Sequence, residues 1–132
     1  MPRLPDWPQR LDAFIESRRG TPFAYGSHDC CLFSAGAVEA VTGENVAARW
    51  HYTNEIGARR LMAKWGGVDG LVTAALGDPC HPSQAGRGDI VMAELTNGET
   101  IGVCLGAVCA FAEEPQGVAL RPRSLILKAW KV

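Results

Sequence analysis

The hydrophobic rhythm of this chain changes once, close to Gly86, and that change limits the folds open to it. Before it, apolar residues recur at spacings of three and four, as on one face of a helix. After it, short apolar stretches are separated by turn residues. Residues 89–95 and 100–105 flank Asn97-Gly98, a dipeptide that favours a tight hairpin because both central residues of a type I′ turn need positive φ. Residues 108–112, 117–120 and 125–132 supply further strands. Helices followed by strands predict an α+β fold, with the N-terminal helices packed on a small C-terminal antiparallel sheet.

The front half divides into four helices. The first is expected after Asp6 as its cap, with Pro8 tolerated in the first turn and Leu11, Phe14, Ile15 and Arg18 at helical spacing. Gly20 and Pro22 end it. The second should run from Asp29 to Thr42, with Phe33, Ala37, Ala40 and Val41 inward and Gly43 as its stop. Thr53 is the expected cap of a third, which carries Ala58, Leu61, Met62 and Trp65 into the core. Val68, Leu71, Val72, Ala75 and Leu76 mark a short fourth. With 132 residues, 47% of them hydrophobic, the chain has enough for one core, and residues 1–132 are read as a single domain.

Charge and cysteine content narrow the function. Thirteen basic and 14 acidic residues leave a net charge of −1, so there is no electrostatic footprint for a polyanion and no nucleic-acid partner is expected. No run is long enough to span a bilayer, and residues 1–6 hold no apolar signal core. The expectation is a chain made in a cytoplasm without a signal peptide and not inserted in a membrane. Five cysteines in that compartment predict reduced thiols. No Cys-x-x-Cys pair is present, so no metal and no cofactor is expected.

The chemistry concentrates in residues 23–33, where a glycine-containing loop delivers Cys30 into the first turn of the second helix. The unpaired amides and positive dipole end there favour thiolate over thiol. Cys31 lies well around the helix from Cys30, so one of the two can face a cleft while the other joins the core. Asp29 suits a cap or a charge at the helix start, and Tyr25 suits a pocket wall.

Those residues carry a resemblance. Tyr25-Gly26-x-x-Asp29-Cys30-x-x-Phe33, then Gly88-Asp89-Ile90-Val91, then Ile101-Gly102-Val103-Cys104-Leu105-Gly106 resemble the NlpC/P60 superfamily. With Thr42-Gly43, Leu76-Gly77-Asp78-Pro79 and Ala129-Trp130-Lys131-Val132, the chain is similar to short phage and prophage proteins of the tail-gene region. The resemblance implies a papain-like fold, ancestry among thiol hydrolases that cut cell-wall peptides, and Cys30 as nucleophile. It also implies synthesis in a bacterial cytoplasm and assembly into a virion tail.

A thiol hydrolase needs a base within reach and a group to orient it. Here the family's histidine position is occupied by Thr100, and the orienting position falls near Phe111. His28, two residues before Cys30, and His81, in the 79–82 loop, are the candidate substitutes, whereas His51 reads as a surface or packing residue. Tyr25, Asp29 and Thr100 are the candidate substrate-binding residues. The expectation is a tail-tip or baseplate component, degenerate in catalysis, that docks onto tail hub proteins. The alternative is an active cysteine peptidase or amidase acting on peptidoglycan peptides.

Overall fold

The computed structural model describes all of residues 1–132 and places four α-helices ahead of five strands. The helices are α1 (Trp7–Arg18), α2 (Cys30–Thr42), α3 (Glu55–Lys64) and α4 (Val68–Leu76). The strands are β1 (Ile90–Leu95), β2 (Gly98–Cys104), β3 (Val108–Phe111), β4 (Ala119–Pro122) and β5 (Ile126–Trp130). They form one antiparallel sheet in the order β4-β3-β2-β1-β5. The α+β class and the helix-then-strand order are as the rhythm of the sequence predicts.

Alternation along the strands divides the sheet into two faces. Ile90, Met92, Ile101, Val103 and Trp130 turn toward the helices and join Leu11, Phe33, Val38 and Leu71 in the main core. Val91, Ala93, Cys104, Cys109, Phe111 and Ala129 point the other way and form a second, smaller core with Ala85. Both faces are thus covered, the second by the segment that precedes β1 rather than by a helix. No helix is long and apolar enough to cross a membrane.

Several local expectations are corrected. The β1–β2 turn is made by Thr96 and Asn97, because Leu95 pairs with Gly98. No non-glycine residue has positive φ, and the left-handed conformation falls on Gly98 at φ 98°, so the turn is not type I′. Asp6 makes no side-chain cap bond to α1. The cap of α3 is Asn54, which accepts from the Gly57 N–H, one residue beyond the expected Thr53. Trp65 lies past the last turn of α3 and is 46% exposed rather than buried. Ala40 is only half-buried.

Asp89, just before β1, ties the two ends of the chain together. Its fully buried carboxylate accepts from the Gly86 and Val132 N–H groups, each at 2.8 Å, and pairs with Arg3 and Lys131. This single anchor sets where the first residues and the last strand sit relative to β1.

Candidate functional site

Asp29 adopts an extended backbone (φ −120°, ψ 178°) and opens α2. One carboxylate oxygen accepts from the Leu32 N–H at 2.9 Å, which satisfies an unpaired amide of the first turn. The other accepts from the Gly26 N–H at 2.9 Å and so fixes the loop that leads to the helix. The Tyr52 hydroxyl donates to the same carboxylate at 2.7 and 2.8 Å. Burial, reinforced by the nearby cysteines and Asp29, holds that phenol well above its ordinary value, so it stays a donor.

This framework delivers Cys30 as the first residue of α2, half-buried, and Cys31 as a core residue 3% exposed. The two thiols act as a pair. The Cys31 thiol donates toward the Cys30 sulfur, and the backbone N–H groups of Ile101 and Cys31 favour the anion further. The Cys30 pKa is therefore lowered, against the opposing effects of burial and the Asp29 carboxylate. Cys31 is pushed well up by donating to Cys30 and by its own burial. Of two adjacent thiols only one ionises readily, and it is the one at the helix start.

Cys30 lines a cleft of about 420 Å³ together with Phe23, Tyr25, Arg59, Thr100 and Glu113. Tyr25 forms one wall, edge-on to Phe23 at 5.0 Å, and burial beside Glu55 raises its pKa. The β1–β2 hairpin supplies the opposite wall. Thr100 belongs to it, but its hydroxyl donates to the Gly98 carbonyl at 3.0 Å, and in the ladder it stands opposite Ala93 of the second core. Glu113 follows β3, is 8% exposed, and accepts two bonds from Arg121 at 2.9 and 3.1 Å. Phe111, where counting along the strand put an orienting group, faces the second core, and the polar residue that the end of β3 brings to the cleft is Glu113.

None of the three histidines lines this cleft. His28 is 1% exposed and its Nε2 bonds to the Gly117 carbonyl at 2.7 Å. A carbonyl only accepts, so Nε2 carries the proton and Nδ1 is left without a partner. The ring packs edge-on against Phe33, 5.7 Å away, and ties the cysteine loop to the 113–118 loop. His28 thus positions the segment behind Glu113 and does not line the cleft. His81 is exposed, and its Nδ1 meets the Ser83 hydroxyl at 2.8 Å in a short turn beside β5. His51 is exposed as well.

Two site residues escaped the sequence reading. Tyr52 reaches Asp29 across 23 positions of chain, and no motif marks that contact. Glu113 lies one residue beyond a buried alternation whose phase depends on which face the helices cover. A second groove, about 440 Å³, runs between the 45–50 segment, α3 and α4, and Trp50 and Trp65 line it. No three His, Cys, Asp or Glu side chains converge as a metal site. The arrangement offers a thiolate-prone sulfur, aromatic and aliphatic walls, and a carboxylate–guanidinium pair, with no histidine among the lining residues.

No curated protein matches the chain. A family model described as a domain of unknown function, DUF6950, matches residues 2–132, and the chain belongs to that family.

Proposed function

We propose that this protein is a tail-tip or baseplate component of a phage or prophage, built on a papain-like, NlpC/P60-type plan whose catalysis has lapsed, and that it acts by docking onto tail hub proteins. One observation carries the reading: a cysteine occupies the first turn of α2 inside a cleft that no histidine lines. Without a base, a nucleophilic thiol loses most of its rate in acyl transfer. What remains is a shaped cleft on a rigid α+β scaffold. On this reading the chain is made in the bacterial cytoplasm and incorporated into the virion tail.

The test is purification of particles from an induced or infected culture, with the chain detected by mass spectrometry and located by antibody labelling. The expected result is a fixed copy number at the tail tip, unchanged by Cys30→Ser. Absence from washed particles overturns the reading.

The lowered Cys30 pKa favours a second reading, an active cysteine peptidase or amidase on peptidoglycan peptides. Here the thiolate would attack the amide carbonyl, with helix-start amides holding the oxyanion. Incubation with purified cell-wall peptides separates the two. Cleavage lost in Cys30→Ser supports the enzyme, and no cleavage by the intact protein supports the docking component.

A further inference from the structure

A second pair of cysteines lies on the opposite face of the sheet from Cys30. Cys104, the last residue of β2, stands directly opposite Cys109 of β3. The Cys104 N–H donates to the Asp89 carbonyl and its C=O accepts from the Gly88 N–H, both at 2.8 Å, so neither backbone group is spent on Cys109. The two residues therefore form a non-hydrogen-bonded cross-strand pair, the class in which facing side chains come closest, with Cα atoms about 4.5 Å apart. That separation lies within the roughly 4.4–6.8 Å that a disulfide spans. Both side chains belong to the second core and both are fully buried.

The surroundings of Cys104 are unusual for a core cysteine. The Gly106 N–H approaches its sulfur at 3.4 Å and the Arg123 guanidinium at 3.7 Å. Arg123 comes from the 3-10 turn after β4 and is held over the sulfur by the Pro82, Ser83 and Gly106 carbonyls at 3.2–3.4 Å. The Cys109 thiol donates to Cys104, and these contacts lower the Cys104 pKa to about 6 while raising that of Cys109. One thiolate and one thiol held in contact have the polarity that oxidation to a disulfide requires.

We propose that Cys104 and Cys109 are an oxidisable pair that closes a cross-strand disulfide between β2 and β3 on exposure to a hydroperoxide. Full burial selects a small oxidant over a bulky one such as glutathione disulfide. The Cys104 thiolate attacks the distal oxygen of hydrogen peroxide, forming a sulfenic acid as the O–O bond breaks, and the departing hydroxide takes a proton to become water. Cys109 then gives up its proton and attacks the Cys104 sulfur. The S–O bond breaks, the sulfenic hydroxyl leaves with that proton as a second water, and the S–S bond forms. Two thiols are oxidised and one peroxide is reduced to two waters, with nothing left over. The link would join two strands that also reach the cleft, at Thr100 within β2 and at Ala112 just after β3.

The experiment treats the folded, reduced chain with hydrogen peroxide, blocks remaining thiols with an alkylating agent after unfolding, and maps each cysteine by mass spectrometry. The expected product is a Cys104–Cys109 link with neither residue alkylated, two hydrogens lighter, and reversed by dithiothreitol. It should raise the thermal midpoint by on the order of 5 °C. Cys109→Ala should block the link and leave Cys104 as a sulfenic acid that dimedone traps. Because that variant could be misfolded, its circular dichroism is compared with the parent, and Arg123→Gln, which keeps both thiols, should slow the link several-fold. Recovery of Cys104 and Cys109 as free thiols while Cys30 is oxidised overturns the proposal, as does oxidation of Cys104 to sulfinic acid without a link.

Discussion

Asp29 governs the candidate site although it does not itself line the cleft. Its carboxylate satisfies two backbone donors and the Tyr52 hydroxyl, so Asp29→Ala should cost about 3 kcal/mol of stability, from a lost cap and buried donors left unpaired. Urea unfolding measures this, and a loss below about 1 kcal/mol would show that the loop is held by other contacts. The same carboxylate opposes ionisation of Cys30. The Cys31 thiol and the Ile101 and Cys31 N–H groups outweigh it, so alkylation of Cys30 by iodoacetamide should rise with pH through a midpoint below that of a free thiol, and Asp29→Asn should move the midpoint lower still. Cys31, whose proton is held, should stay unlabelled in the folded state across that range. Equal labelling of both cysteines would remove the basis for treating Cys30 as the thiolate. At this scale the sequence was informative about Cys30 and Asp29, because a helix start imposes its own chemistry on the residues there. It was silent on Tyr52 and misleading on His28, since a short separation in sequence does not bring two side chains to the same side of a loop.

Among the elements, β2 and β3 depend on one missing side chain. A Cβ at Gly102 would stand 2.3 Å from the Ala110 carbonyl oxygen and 2.5 Å from the Phe111 ring. Gly102→Ala must push the strands apart or displace Phe111 from the second core, and should destabilise by about 2–3 kcal/mol. A thermal midpoint within 1–2 °C of the parent would mean that the strands yield more easily than close packing allows. Gly117 is constrained in two ways, by φ 87° and by the Thr21 carbonyl oxygen 2.1 Å from where its Cβ would lie. It permits the turn whose carbonyl receives His28. The four helices and five strands were legible within a residue or two because amphipathic spacing is a local property. The helix caps and the hairpin turn were less so. Thr53 and Asn54 both suit a cap, and Thr96 took a turn position that was expected to fall on Gly98.

For the molecule as a whole, Asp89 links the N-terminal arm, the segment before β1 and the C-terminal strand. Arg3 and Lys131 are partly exposed, at 23% and 59%, and keep carbonyl partners, so Asp89→Ala should cost chiefly the bonds from the Gly86 and Val132 N–H groups, about 2–3 kcal/mol. Hydrogen exchange should show faster exchange at both ends of the chain, with α2 and β2 protected until global unfolding. If exchange accelerates uniformly, the anchor serves the core rather than the termini. The sheet is buried on both faces, which the helix-on-sheet expectation covered for one face only. The covering of the second face by the segment around Ala85 was not legible, because that segment has no periodicity of its own.

By itself the sequence determined the order of helices and strands, the break between them near Gly86, and the delivery of Cys30 to a helix start. Each follows from short-range patterns of apolar spacing, turn residues and caps. Only the tertiary structure decided which of two adjacent cysteines opens onto the cleft, that Glu113 rather than a histidine stands in it, and that Cys104 meets Cys109 behind it. Those outcomes depend on strand register and on the rotation of α2 against the sheet. Register and rotation are set by long-range packing of both faces at once, and a one-residue slip in either exchanges the groups that face each other.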